Sequence, residues 1–380
     1  MFTLNLDTAA FLKSYWQQQP FVIRRGFDHF ADFLDEHDLA GLSEMEEVDS
    51  RIISHKDNDW TMTAGPFDDF SEVCKDQWTL LVQAVDRYVD EAALLMDAFG
   101  FLPYWRMDDL MVSFATQGAG VGPHLDQYDV FLVQGKGRRH WKVGRPGEHQ
   151  AVYPHPKLQQ IAPFEPVLDV VLEPGDILYI PPGWPHDGVA LEDCMTYSVG
   201  FRAPDQAQLS DTLTAVFEEQ PTDSQRFTDP ARAQAVRPAL VEDADLQQLT
   251  RLLQNALEKP EWQTSLMRML SDQHLPEMVP DTLATAASLQ DALNNGQLVY
   301  RSPGTRPVYR QPAPHSSTFD FYVNGEMFTV AATMQDNCIR LIEGDVIDDS
   351  WLDTTGCAFF ELLAILVNKG YWELEDISLE

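Results

Sequence analysis

Gly120-Val121-Gly122-Pro123-His124-Leu125-Asp126 sets an imidazole and a carboxylate two residues apart. In an extended segment, side chains at i and i+2 leave the same face, so His124 and Asp126 can converge on one ion. A third ligand has to come from elsewhere. Pro181-Pro182-Gly183-Trp184-Pro185-His186 supplies a second imidazole at a strand-and-turn junction. Two imidazoles and one carboxylate on one face of an octahedral ion leave three positions open, which suits a non-haem iron(II) oxygenase. An HxD pair alone is commonplace and is more often surface decoration. The weight lies in the combination of a glycine-rich lead-in, HxD, and His186 after 59 intervening residues that carry strand signals and end in EPGDILYIPPGWP.

Close by, Lys136-Gly137-Arg138-Arg139-His140-Trp141-Lys142-Val143-Gly144-Arg145 holds five of the 26 basic residues in a chain of net charge −34. Such a local reversal of sign calls for an anion, and the planar fork of arginine suits a carboxylate. Strand alternation puts Arg139, Trp141 and Val143 on one face and Arg138, His140 and Lys142 on the other. The apolar pair marks the interior, so Arg139 is expected to grip the distal carboxylate of 2-oxoglutarate; the competing reading is a surface salt bridge. Ser113 can support it with a hydroxyl, or be an ordinary strand serine. Tyr128 and Asp129 are candidates for a cleft that receives a cationic side chain, although Asp129 falls on the strand face opposite Asp126. The other histidines lack a comparable setting.

These groups need a scaffold. Thr8 to Gln17 reads as a short helix, stopped by Pro20, with a strand at Phe21–Ile23. Residues 28–100 read as mostly helical, with Leu80, Leu81, Ala84, Val85 and Tyr88 at helical spacing. From about 104, short apolar runs alternate with Gly/Pro turns: Leu110–Phe114, Val130–Val133, His140–Val143, Val167–Leu172, Ile177–Ile180 and Met195–Phe201. Strands of this length and spacing predict a sandwich or barrel, here a double-stranded β-helix of the cupin type. Helical patterns return over 205–276, around a polar loop at 220–232. A further unit has a helix near 287–294, short strands between 297 and 342, and an apolar helix at 358–368.

Composition narrows the class. Hydrophobic residues make up 44% and charged residues 23%, ordinary for a globular protein. No run approaches the roughly 18 apolar residues of a membrane span, and no basic leader opens the chain, so a cytoplasmic protein is the expectation. Cys74, Cys194, Cys338 and Cys357 lie far apart without a CxxC pair, which argues against a thiolate metal site or a disulfide framework. Such an acidic surface repels nucleic acid and anionic membrane and would steer a cationic partner inward; the competing reading is a solubilising or salt-adapted surface. Residues 281–380 have the helix-then-strands order of a winged helix, but 5 basic against 15 acidic residues argue against nucleic-acid binding there.

GVGPHLDQYDVFLVQGKGRRHWKVG together with LEPGDILYIPPGWPHDG resembles the JmjC-type ribosomal oxygenases, and SYWQQQPFVIRRGF and FELLAILVNKGYWELED extend the likeness towards both ends. The resemblance implies an α+β architecture: a JmjC jelly-roll oxygenase domain over 1–205, a helical dimerisation region over 206–276 and a winged-helix-like domain over 277–380. It implies Fe(II) held by His124, Asp126 and His186, and 2-oxoglutarate held by Arg139 with Ser113, with O2 as co-substrate. The expected activity is hydroxylation of an arginine β-carbon in a basic large-subunit ribosomal protein by a homodimer. The rival readings are a cupin metalloenzyme acting on a small molecule without 2-oxoglutarate, which leaves the basic run unassigned, and a binding module on an inactive barrel.

Overall fold

The side chain of Asp7 accepts from the backbone N–H of Ala10 and starts α1 (Thr8–Ser14). Beyond Pro20 the chain runs into β1 (Phe21–Ile23). This computed structural model describes residues 2–57, 59–219, 225–230, 237, 239–276, 280 and 282–375. The chain continues through α2 (Glu36–Leu42), β2 (Ser50–Lys56), β3 (Asp59–Ala64), β4 (Gln77–Val82) and α3 (Asp90–Asp97) to β5 (Met107–Ala115). Then follow β6 (Asp129–Gln134), β7 (Arg139–Gly144), β8 (Ala151–His155), β9 (Leu158–Ile161), β10 (Pro166–Leu172), β11 (Ile177–Ile180), β12 (His186–Ala190) and β13 (Cys194–Phe201).

An antiparallel sheet in the order β1-β11-β6-β13-β5-β4-β2-β3 faces a smaller one, β10-β7-β12. Strands β6, β11 and β13 are buried at every position, which explains the unbroken apolar runs Val130–Val133 of β6 and Ile177–Ile180 of β11. One face, with Phe131, Val133, Tyr179, Tyr197 and Phe201, packs against Phe11 and Phe99 from the helical side. The other, with Val130, Leu132, Leu178 and Ile180, packs against Trp141, Val143 and Leu172 of the smaller sheet. Each such side chain contributes about 1.5–3 kcal/mol when fully buried.

The expectation of a mostly helical 28–100 is corrected. That segment holds three strands, with Leu80 opposite Phe114 and Leu81 opposite Ser113. Leu80 packs into one core and Leu81 into another. A short strand apolar on both faces loses its two-residue alternation, and a helical spacing fits it by accident.

The described chain forms two compact units. The first takes in Met1–Ala203, Leu275–Thr305 and Gly344–Glu380, and the second Pro204–His274 and Arg306–Glu343, within their described residues. The first unit therefore also contains α7 (Ala286–Asn294), β14 (Val299–Arg301), α9 (Ser350–Thr354), α10 (Cys357–Asn368) and β18 (Trp372–Leu374). The second holds α4 (Gln206–Glu219), α5 (Asp243–Leu257), α6 (Pro260–Ser271), the sheet of β15 (Val308–Tyr309), β16 (Thr318–Val323) and β17 (Glu326–Ala331), and α8 (Gln335–Ile342). The stretch 277–380 thus has the expected order of elements but is shared between the two units. Its ends close on each other because β14 pairs with β18 and α7 packs on α10, whereas its middle packs on α6. Of the polar loop expected over 220–232, residues 220–224 and 231–232 lie outside the described residues.

Candidate metal centre

His124 and His186 meet first through their backbones. Each N–H donates to the other's carbonyl at 3.0 Å, a single antiparallel bridge. The sequence suggested a longer strand around HxD; Gly122, at φ +78°, turns the chain just before it. A side chain at Gly122 would also run into the Gln160 amide, which donates to the Val121 carbonyl at 2.9 Å. Two residues past His124, the Asp126 carbonyl accepts from Gly183 N at 2.7 Å. The turn that delivers His186 thereby also clasps the HxD segment.

The ligand atoms of His124, Asp126 and His186 lie within 4.8 Å of one another. Asp126 Oδ2 is 3.5 Å from His186 Nε2 and 3.9 Å from His124 Nε2. On the far side of each ring, Nδ1 sits 2.9 Å from the Gly122 carbonyl and 3.0 Å from the Trp184 carbonyl. A carbonyl can only accept, so each Nδ1 carries a proton, and each Nε2 would present its lone pair to a bound metal ion; without one, Asp126 raises the His186 imidazole against its burial. Burial, helped by the neighbouring His186, pushes the His124 imidazole down to about 4. Burial opposes ionisation of Asp126, but hydrogen bonds and charges from His186, His124 and Tyr128 overcome it and hold the carboxyl at about 2. A neutral imidazole beside an ionised carboxylate is the state a cation needs.

Arg139 lies deeper. Its side chain, from a residue only 4% exposed, donates from Nη1 to Thr196 Oγ1 at 3.1 Å and to Ser113 Oγ at 3.5 Å. The guanidinium rests 5.2 Å above the Trp141 ring. Arg139 Nε and Trp141 Nε1 are buried without a hydrogen-bond partner among the described residues. A buried guanidinium held only by hydroxyls is uncompensated, and burial lowers its pKa. That orphaned fork fits a carboxylate, as two imidazoles and a carboxylate fit a hexacoordinate metal ion with open positions. Both groups line one cavity of about 810 Å³ within the first unit.

The sequence matches the JmjC domain family over residues 94–209. It is 38% identical to the ribosomal protein uL16 3-hydroxylase of Escherichia coli, over 98% of this chain and 99% of that protein. The chain belongs to the JmjC-type ribosomal oxygenases. A probable ribosomal oxygenase of Haemophilus influenzae is 31% identical, over 92% of this chain and 89% of that protein. Solved structures agree: Escherichia coli YcfD superposes with a TM-score of 0.90 at 37% identity, covering 98% of this chain and 100% of that one. The same ribosomal oxygenase in complex with cobalt and 2-oxoglutarate gives 0.87 at 37% identity, covering 99% and 100%.

In this oxygenase Tyr128 is 41% exposed on the cavity wall, near Asp126. Asp129 corrects the expectation of a second cleft residue. It is fully buried and takes Gln17 Nε2 at 2.9 Å, Arg106 Nη2 at 3.0 Å and the Tyr179 hydroxyl at 2.6 Å. The strand alternation that turned it away from Asp126 carried it into the helical side of the large sheet. Among the wall residues that escaped the sequence reading are Asp109, Thr196 and Arg51. Asp109 and Ser113 lie four apart on β5 and so share a face, a signal that was available. Thr196 stands opposite Ser113 across the sheet, which pairing alone reveals.

Proposed function

We propose that the chain is an Fe(II)- and 2-oxoglutarate-dependent hydroxylase acting on the β-carbon of an arginine in a basic large-subunit ribosomal protein. His124, Asp126 and His186 hold the iron, and Arg139 with Ser113 holds the distal carboxylate of 2-oxoglutarate. The observation that carries this reading is the pairing, in one cavity, of an open three-ligand cluster with a buried guanidinium that has no carboxylate partner among the described residues. When bound, iron with 2-oxoglutarate and O2 supplies the oxidising power for C–H hydroxylation, releasing succinate and CO2. The chain's own residues do the rest. The two Nδ1–H groups fix the imidazole tautomers, Arg139 orients the co-substrate, and the apolar wall of Trp141, Leu132 and Val130 limits water. Asp109, half-buried on the same cavity, is the carboxylate placed to receive the target guanidinium beside Tyr128. A cupin acting on a small molecule without 2-oxoglutarate leaves Arg139 uncompensated.

The net charge of −34 favours a basic protein partner over nucleic acid, met in the cytoplasm. Among the described residues no helix is long and apolar enough to cross a membrane. For the helical region 206–276 we propose a homodimer contact along α5. Leu246, Leu249, Leu253 and Leu257 are 40–55% exposed there at helical spacing, and an isologous interface lets such a stripe cover itself. For the stretch 277–380 the proposed role is protein contact or packing.

The deciding experiment incubates the enzyme with Fe(II), 2-oxoglutarate and the ribosomal protein. Succinate release and the gain of one oxygen atom on an arginine are expected, and both vanish in His124→Ala, which also loses Co(II) binding. Succinate release independent of the protein substrate, with no oxygen gained, counts against the reading.

A further inference from the structure

Strands β8 and β9 form a two-stranded sheet of their own, apart from both sheets of the barrel. Leu158 and Gln160, two apart on β9, share the face that turns inward. Leu158 packs against Ile53 and Leu81, and Gln160, only 6% exposed, lines the same cavity as they do. The hairpin is thus one wall of the cleft. It is also tied to the loop that carries HxD: Ile161 N–H donates to the Pro123 carbonyl at 2.8 Å, one residue before His124.

The Gln160 amide is divided between wall and loop. Its Nε2 donates to the Val121 carbonyl at 2.9 Å. A carbonyl can only accept, so this contact fixes which end of the amide is nitrogen and leaves Oε1 on the other side. Oε1 accepts from no donor among the described residues, and it is not sealed off as Trp141 Nε1 is. An acceptor on so buried a residue is costly to leave unmatched, and the cavity is where a donor can reach it. Charge decides which donor suits it. A neutral amide oxygen matches a peptide N–H, whereas the Asp109 carboxylate suits a guanidinium. Beyond Val121 the path to the metal ligands is short. Gly122 follows, and its carbonyl accepts from His124 Nδ1 at 2.9 Å, the kind of contact that orients a ligating imidazole.

We propose that Gln160 is a positioning residue. Its Oε1 accepts a backbone N–H of the substrate chain while Nε2 holds Val121, so that an occupied cleft is registered at the loop carrying His124 and Asp126. The inference rests on the protein-hydroxylase reading above. It adds a contact to the substrate's main chain and a route from that contact to the ligands.

The test uses the full chain loaded with Co(II) and 2-oxoglutarate, and a basic peptide carrying one arginine. Each backbone amide around the arginine is replaced in turn by an ester, which removes one N–H and keeps the chain's shape. Fluorescence anisotropy is expected to find one position at which the ester weakens binding about fivefold. In Gln160→Leu, which has no acceptor, the same ester costs nothing. The visible absorption of Co(II) reads the coupling: adding peptide shifts its bands in the wild type. Gln160→Glu keeps an oxygen towards the cleft but loses the N–H to Val121, so the ester penalty stays while the shift is lost. Thermal midpoints and peptide-free Co(II) affinity check that both variants fold and load. A flat ester series in the wild type overturns the proposal, as does a penalty unchanged in Gln160→Leu or a full shift in Gln160→Glu. If both variants lose Co(II) without peptide, Gln160 is only a prop of the loop, and the proposal falls. Hydroxylation is followed separately on the Fe(II) enzyme. Coupled binding with no oxygen gained indicts the assigned reaction, and oxygen gained without coupling indicts Gln160.

Discussion

Arg139 shows how far one buried charge constrains a site. Held by two hydroxyls and an indole face, it is uncompensated until an anion arrives. Arg139→Met removes the buried charge and, with it, the proposed grip on the co-substrate. The metal-free protein is expected to keep or raise its thermal midpoint, while the dissociation constant for 2-oxoglutarate, read by calorimetry, rises at least about 100-fold. Asp109 makes a second prediction. Burial above all, then the charges of Asp86 and Asp108, lifts its carboxyl to about 7. A raised folded-state pKa means the native state binds the proton more tightly between about 4 and 7, so this group's contribution to stability is lost as pH climbs through that window. Asp109→Asn should flatten that part of the curve of thermal midpoint against pH. If the carboxylate receives the guanidinium, KM for an arginine peptide falls as pH rises through 7 in the wild type and not in Asp109→Asn.

Among the elements, the proposed metal ligands depend on a loop and a turn that hydrogen-bond to each other. Gly122 combines a left-handed backbone with a close approach to Gln160. Gly122→Ala should therefore cost metal affinity before it costs the fold, seen as weaker Co(II) binding at a nearly unchanged circular dichroism spectrum. At the start of β6, Asp129 ties together Gln17 from beyond α1, Arg106 before β5 and Tyr179 of β11. Removing one partner of a buried ion pair strands the other, so Asp129→Ala should lose about 3–5 kcal/mol in denaturant unfolding. A loss under about 1 kcal/mol would mean that Arg106 finds other partners.

At the scale of the molecule, charge and shape act on encounter rather than chemistry. A surface of net charge −34 meeting a basic protein gives steered association. kcat/KM for a whole ribosomal protein should fall as ionic strength rises from about 0.05 to 0.15 M, while kcat stays level. The exposed leucine stripe of α5 is where the proposed homodimer contact lies. Paired Leu249→Glu and Leu253→Glu should turn a dimer into a monomer in light scattering without changing Co(II) binding at the distant barrel sequence. An unchanged mass would reject α5 as the contact.

Two properties of the chain were settled by local chemistry. The types and order of the ligands, with the glycines that frame them, need only short-range geometry, so HxD, the later histidine and the inward-facing Arg139 were legible. Six of the strands between 107 and 201 were legible too, because Gly and Pro punctuate their apolar runs; β8, β9 and β12 were not. The strands of 50–82 were not: burial on both faces of β4 erased its alternation, and β3 is largely exposed and carries no apolar run. Asp129 was misplaced for a related reason: a carboxylate next to a metal motif looks catalytic until Arg106 and Tyr179, 23 residues before it and 50 residues beyond it, are seen closing on it. Pairing across strands likewise put Thr196 and Arg51 in the cavity, and pairing of β14 with β18 divided the C-terminal stretch. Sequence fixes which groups exist and how near neighbours face; only the closed sheets decide which distant groups share a wall.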